Sequence, residues 1–201
     1  MKNILTFIEK AQKGTNDSDK HFITLFSIAL ASGAKHILEL GVREGGTTLP
    51  LLTAAKMNSG TLHSVDVNKT TFIPPSELKK HWKFYHQDAI QFLEKWDTSL
   101  DVGIVYIDDW HSYSHVKKEL ELIDKIVSPS SIILLHDLMY GGTSPFYHAD
   151  LTNSAGAQWA EGGPYRAVAE LNPQFWEFAT LPWNNGLTIL RKKYSNKYKQ
   201  R

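Results

Sequence analysis

Cysteine is missing altogether from the 201 residues. Its absence excludes disulfides and thiolate chemistry, and it fits a reducing compartment. Charge of one sign is missing too: 22 Lys and Arg face 21 Asp and Glu, a formal net charge of +1. Nothing in that balance asks for nucleic acid or a membrane surface as partner. No apolar run approaches bilayer-spanning length, and the N-terminus lacks a signal-like apolar core with a cleavage site. A soluble, cytoplasmic protein is expected. There is no internal repeat and no domain boundary, so residues 1–201 read as a single domain with a complete core. The one local excess of charge, the basic run from Arg191 to Arg201, reads as a solvated tail.

What the chain does have is alternation. Apolar spacing predicts N-terminal helices within residues 1–32, from about Asn3 to Gln12 and Lys20 to Ser32, with Asp17, Ser18 and Asp19 as caps between them. Strands are expected at about His36 to Leu40, Thr61 to Val67, Trp82 to His86, Val102 to Ile107 and Ile132 to Leu135. Helices from Thr47 to Met57, Ile90 to Lys95 and Tyr113 to Val127 separate them; another could start at Pro75 or Ser76, and Pro129 is read as a helix stop. Continuous apolar strands alternating with helices mean an α/β fold: a mostly parallel sheet with helices on both faces. Met139 to Pro164 has little periodicity, and a loop of that length is expected to shape a functional site. A short helix from Tyr165 to Leu171 and a C-terminal antiparallel hairpin, Phe175 to Leu181 and Gly186 to Arg191, complete the reading.

The first strand ends in Glu39-Leu40-Gly41-Val42-Arg43-Glu44-Gly45-Gly46-Thr47-Thr48. A buried strand ending this way offers backbone amides and a helix N-terminus to a ligand at the sheet's carboxyl edge. The second strand ends in Asp66, about 27 residues after Glu39, where an acid commonly holds a ribose hydroxyl pair. The glycine spacing is not the dinucleotide fingerprint, and Glu44 would repel a pyrophosphate. Glu-Leu-Gly-x-x-x-Gly-x-Thr instead resembles the first motif of class I S-adenosylmethionine-dependent methyltransferases, whose loop wraps a cationic cofactor. That resemblance implies a Rossmann-like domain with a seven-stranded sheet. It implies cofactor contacts from Glu39, Gly41, Arg43, Gly45, Thr47, Asp66, Asp88, Ala89, Asp108 and Trp110. Glu39 also reads as an anchor for the loop's backbone amides, and Asp88 as the N-cap of the helix after it.

The second signal is a pair of clusters, Asp108-Asp109-Trp110-His111-Ser112-Tyr113 and His136-Asp137, at the tips of neighbouring strands. Carboxylates from two tips suit a hard divalent cation such as magnesium. A histidine beside them can take a proton from an acceptor hydroxyl, a poor nucleophile until deprotonated. The clusters resemble bacterial metal-dependent O-methyltransferases of the macrocin, mycinamicin and cephalosporin-biosynthesis type, in Asp108, His111, Tyr113, His136 and Asp137. By that resemblance Asp108, His136 and Asp137 are the metal set and His111 the catalytic base. His136 stands where the antibiotic enzymes have glutamate, and reads either as a ligand or as a satisfied histidine at the core edge. Asp109 stands where glycine is common. His111 and His115, spaced i and i+4, look like a zinc pair but lack the intervening glutamate of metalloproteases. The reading is S-adenosylmethionine-dependent, metal-assisted O-methylation of a small-molecule hydroxyl, on a sugar or natural product. A binding protein that has lost turnover and a nicotinamide-dependent oxidoreductase are the alternatives; the latter lacks a Tyr-x-x-x-Lys pair after the fifth strand. Whether subunits pair through the N-terminal helices is left open.

Overall fold

The computed structural model describes residues 2–139 and 160–193. The chain runs α1 (Lys2–Lys13), a 3-10 turn (Asp19–His21), α2 (Phe22–Ala31), β1 (His36–Leu40), α3 (Thr48–Met57), β2 (Thr61–Asp66) and β3 (Trp82–His86). It continues through α4 (Ala89–Glu94), β4 (Val102–Ile107), α5 (Tyr113–Ile126), β5 (Val127–His136), α6 (Gly163–Ala169), β6 (Trp176–Leu181) and β7 (Leu187–Lys192). Seven strands form one sheet in the order β3-β2-β1-β4-β5-β7-β6. β1 to β5 pair in parallel, while β7 is antiparallel to both β5 and β6. The expected parallel sheet with a terminal hairpin is what folds.

Alternation along β4 sorts the core into two layers. Val105 and Ile107 face α4, α5 and α6 with Leu38, Leu40, Val116, Leu120 and Ile123. Ile104 and Tyr106 face the other way, into Phe7, Phe22, Leu25, Leu51 and Leu52 of α1, α2 and α3. Side chains of a strand point to opposite faces in turn, so the sequence Val-Gly-Ile-Val-Tyr-Ile feeds both layers. The central strands β1, β2 and β4 are almost wholly buried; β4 accordingly reads as an unbroken apolar run, while β1 and β2 also bury Glu39, His63 and Ser64.

Several boundaries differ from expectation. No α-helix starts at Pro75 or Ser76; a turn leads into a 3-10 turn at Lys79–His81. Helix α5 ends at Ile126 before Pro129 is reached, and Pro129 lies inside β5. Proline is tolerated there because β5 starts as a sheet margin, where Ser128 N–H turns to the Ser131 hydroxyl rather than to a ladder partner. Asp19 does not cap α2; its carboxylate accepts from Thr15 N, Thr15 Oγ1 and Asn16 N and ties the preceding loop. Pro164 belongs to α6. Residues 140–159 of the expected loop, and 194–201 of the basic tail, lie outside the described residues. Among the described residues no helix is long and apolar enough to cross a membrane.

Candidate active site

The parallel strands deliver their carboxyl ends to one edge, and the glycine loop crosses it between β1 and α3. Gly41 (φ 90°), Arg43 (φ 50°) and Gly45 (φ 79°) hold left-handed backbone there. That run turns the amides of Val42 and Arg43 toward one point, an anion-accepting concavity. Asp66 fills it: its Oδ2 accepts Val42 N at 2.9 Å and Arg43 N at 3.0 Å, and its Oδ1 accepts Asn68 N at 2.7 Å. The expected ribose partner therefore first serves as the loop's keeper. Glu39 goes further in that direction. It is fully buried, and its oxygens accept from the hydroxyls of Thr47, Thr48 and Ser64 at 2.6–3.0 Å, not from backbone amides. Burial pushes its carboxyl up to about 7, with the three hydroxyls pulling the other way. As placed, Glu39 and Thr47 bind one another beneath the loop and do not face the cleft together. Asp88 caps α4 by accepting Gln91 N at 3.0 Å, with Ala89 the first residue of that helix.

Asp66→Ala removes two charge-assisted bonds to the loop, each worth on the order of 1.5–3 kcal/mol. Binding of S-adenosylhomocysteine, measured by calorimetry, is expected to weaken at least about tenfold. Unchanged affinity would show that the loop neither needs Asp66 nor meets the nucleoside.

The β4 and β5 tips bring four titratable side chains together. His111 Nε2 lies 3.0 Å from Asp137 Oδ2 and 3.5 Å from Asp108 Oδ1. His136 Nδ1 lies 3.1 Å from Asp137 Oδ1 and 3.4 Å from Asp108 Oδ1. Asp137 holds a left-handed backbone (φ 68°), a conformation aspartate tolerates better than most residues, and it returns its carboxylate toward Asp108. His136 is buried and its Nε2 sits 3.1 Å from the Asp17 carbonyl oxygen. That carbonyl can only accept, so Nε2 carries a proton and Nδ1 is the atom turned to the carboxylates. The sequence left His136 between ligand and core-edge residue; the structure brings it into the cluster.

Tyr106 and His21 complete the surroundings, and sequence reasoning missed both. The Tyr106 hydroxyl donates to Asp108 Oδ2 at 2.9 Å from a fully buried position. Its signal was a tyrosine within an aliphatic strand, two residues before Asp108 and so on the same face. His21 meets His136 edge-on at 5.4 Å between ring centroids, and burial with the nearby His136 lowers it to about 4. His111 precedes α5 rather than starting its first turn, since Ser112 is the N-cap. His111 and His115 do not share a site: His115 turns to Asp109 and Glu119 instead. Trp110 is 41% exposed and packs into neither core.

Burial alone would disfavour charge on all four groups, but their mutual contacts outweigh it. Asp108 and Asp137 are held below the usual carboxylate range by His136 and His111. The close carboxylates of those acids push His111 up to about 10 and, through the charge of Asp108 above all, His136 up to about 11. The two sets of shifts are one interaction seen from both sides. Stability from the lowered acids is present above about 3.8 and lost as pH falls through their folded values. Stability from the raised histidines is present below 6.5 and lost as pH rises through about 10 to 11. In chelator, the melting temperature is expected to fall between pH 6.5 and 10, with a shallower slope in Asp137→Asn. A slope that is the same in both proteins would remove the cluster as its cause.

Beside these tips lies a cleft of about 80 Å³ lined by Asp17, Phe22, Gly41, Arg43, Thr47 and Asp108 among others. A larger surface hollow, about 800 Å³ at residues 56, 59, 76, 77 and 79–81, lies at the opposite edge of the sheet. The family model of the methyltransferase domain matches residues 38–138, just over half of the 201 residues. The chain belongs to the methyltransferase domain family. The match spans the glycine loop, Asp66 and both tip clusters, and it sets the nicotinamide-dependent reading aside. Solved structures share the fold of this methyltransferase domain across nearly its whole length. A methyltransferase from Podospora anserina with S-adenosylhomocysteine bound has 17% identity and a TM-score of 0.64, covering 96% of this chain and 88% of its own. An O-methyltransferase from Bacillus cereus, also in complex with S-adenosylhomocysteine, has 15% identity and a TM-score of 0.64, with 96% and 91% covered. An O-methyltransferase of tomaymycin synthesis from Streptomyces achromogenes has 14% identity and a TM-score of 0.63, with 88% and 81% covered. No curated protein sequence matches this one.

Proposed function

We propose that this methyltransferase domain transfers a methyl group from S-adenosylmethionine to a hydroxyl of a small molecule, a sugar or natural product, with a divalent cation at the β4 and β5 tips. The observation that carries this reading is the convergence of Asp108, His111, His136 and Asp137 beside the glycine loop. The donor set fits a cation: His136 Nδ1 and Asp137 Oδ1 are buried and 3.1 Å apart, yet among the described residues neither makes a hydrogen bond of proper geometry. Asp108 and Asp137 would hold the ion, with His136 Nδ1 beside them. Two carboxylates with an imidazole suit manganese or zinc at least as well as magnesium, which prefers oxygen throughout. When bound, the cation supplies a positive charge that lowers the pKa of a nearby substrate hydroxyl, and S-adenosylmethionine supplies the methyl group.

The chain's own residues supply position and proton transfer. Asp66 sets the loop, and Glu39 with Thr47, Thr48 and Ser64 locks the strand beneath it. His111 accepts the hydroxyl proton at Nε2 as the oxygen–carbon bond forms and the sulfur–carbon bond breaks. The cleft between Asp17 and Arg43 is far below the several hundred Å³ of a typical cofactor pocket. Their exposed ion pair, 3.6 Å long, is therefore expected to part when the cofactor enters. A second reading has its own support: ligand atoms of Asp108, His111 and Asp137 all lie within 4.8 Å of one another, which makes His111 a ligand rather than a base.

Calorimetry with S-adenosylhomocysteine, then transfer of labelled methyl from S-adenosylmethionine to a panel of sugar and phenolic hydroxyls with and without divalent cation, tests the proposal. Binding followed by cation-dependent O-methylation is the expected result. Failure to bind S-adenosylhomocysteine overturns the cofactor assignment; full turnover in excess chelator overturns the role of the cation.

A further inference from the structure

We propose that Asp109, His115 and Glu119 form a second divalent-cation site, of the zinc or manganese type, fastening the start of α5 to the tip of β4. Ligand atoms of the three side chains lie within 4.8 Å of one another. His115 Nε2 is 3.2 Å from Asp109 Oδ2 and 3.5 Å from Glu119 Oε1. A separate observation points to a ligand. Glu119 is fully buried, and among the described residues neither of its carboxylate oxygens has a hydrogen-bond partner; Asp109 Oδ1 has none there either. A single imidazole N–H can serve one acceptor well, and here a second carboxylate oxygen, Glu119 Oε1, lies 3.5 Å from the same nitrogen. Buried charge persists when it is paired or coordinates a metal.

The site is distinct from the one at Asp108. Asp108 bonds Tyr106 and stays on the face of α1 to α3, whereas Asp109 turns to α5 on the opposite face. Glu119 interrupts the apolar stripe of Val116, Leu120 and Ile123 that packs α5 onto the sheet. A carboxylate in such a stripe is costly for packing alone. One imidazole nitrogen and two carboxylates match the borderline cations that accept mixed nitrogen and oxygen ligands, with water completing the shell. The Asp109 and His115 side chains keep 17% and 15% exposure, which leaves an entry path. Bound there, the ion would hold the segment carrying Trp110 and His111 at both ends. The inference rests on these three residues and not on methyl transfer.

The test measures zinc content and thermal stability of the full chain, without substrate. After chelation, reloading with zinc chloride and desalting, the wild-type protein is expected to retain one more equivalent of zinc than Glu119→Gln or His115→Ala. Asp108→Asn is expected to keep that equivalent. Loss of an outer-shell partner weakens metal binding 10–100-fold, so loss of a ligand is expected to weaken zinc binding by at least about a hundredfold. Zinc should raise the melting temperature of Asp108→Asn but not of Asp108→Asn combined with Glu119→Gln. Equal zinc content in the wild type and both single variants, or equal thermal shifts in the last pair, overturns the proposal and leaves a hydrogen-bonded cluster.

Discussion

Gly41→Ala is expected to lower the melting temperature sharply and to abolish binding of S-adenosylhomocysteine. A Cβ built on Gly41 comes within 2.1 Å of the Asp108 carbonyl oxygen and 3.0 Å of Asp109 Cα. Both are backbone atoms, so no rotamer relieves the contact; the tips of β1 and β4 must separate. At that level Asp108 N donates to Leu40 O across β4 and β1 at 2.8 Å, and Gly41 N donates to Val65 O of β2 at 2.9 Å. Left-handed backbone costs an alanine roughly 1–2 kcal/mol, and forced repacking about 1–3 kcal/mol more. For a chain of this length that is a fall of roughly 5–20 °C in Tm. Gly33→Ala is the control, because Gly33 has φ +65° and, among the described residues, nothing lies within 4 Å of a Cβ built there. The difference between the two variants isolates the close approach from the backbone strain. If Gly41→Ala melts no lower than Gly33→Ala, the tight crossing of β1 and β4 is not what demands glycine there.

The sheet was legible because its strands are buried on both faces and its helices carry apolar stripes. Val102 to Ile107 has few alternatives as an unbroken apolar run, and Thr61 to Asp66 reads as a short strand ending in an acid. The tip clusters were legible for the same reason: an acid ending a buried parallel strand has only the carboxyl edge to occupy. What the sequence hid was pairing. Glu39 bonding Ser64 and Thr48 depends on β1 and β2 lying side by side in register, Glu39 opposite Ser64. The helix start at Tyr113 was read correctly and is set by the Ser112 cap; hidden was the partner of His115, which turns to Asp109 and Glu119 and away from His111. The role of Asp66 was hidden because a nest of amides forms only once Gly41 and Arg43 adopt left-handed backbone. Proline misled at Pro129, where a strand margin accepts a residue that reads as a helix stop.

The adjacent acids Asp108 and Asp109 show how one strand end serves two purposes. Successive side chains leave opposite faces, so a single tip supplies Asp108 to the cluster with Asp137 and Asp109 to the cluster with Glu119. The segment between the two clusters is short, Trp110 to Ser114, and carries the residue placed to accept a proton. Its position is thereby coupled to α5 packing through His115 and Glu119 and to β5 through Asp137. Changes in the α5 face should reach turnover through that segment without touching the glycine loop.

His111→Ala is expected to lower turnover by about 10²–10⁴-fold, the usual contribution of a general base, while leaving affinity for S-adenosylhomocysteine nearly intact. The geometry places His111 Nε2 between Asp137 and Asp108 at 3.0 and 3.5 Å, over the same oxygens proposed to hold the cation. Those carboxylates push the imidazole up to about 10, not to the neutral range a lone histidine would show. In chelator the base is therefore protonated at neutral pH, and residual turnover should rise with pH toward about 10. Cations compete with that proton for the same oxygens, so added magnesium or manganese should move the rising limb to lower pH. The base and ligand readings separate in one variant. If His111→Ala keeps cation affinity and loses the pH-dependent limb, His111 is the base. Should cation affinity itself fall by roughly a hundredfold, as expected for a lost ligand, His111 is a ligand and the proton leaves by another route. Wild-type turnover and an unshifted pH profile in His111→Ala would remove it from the reaction altogether.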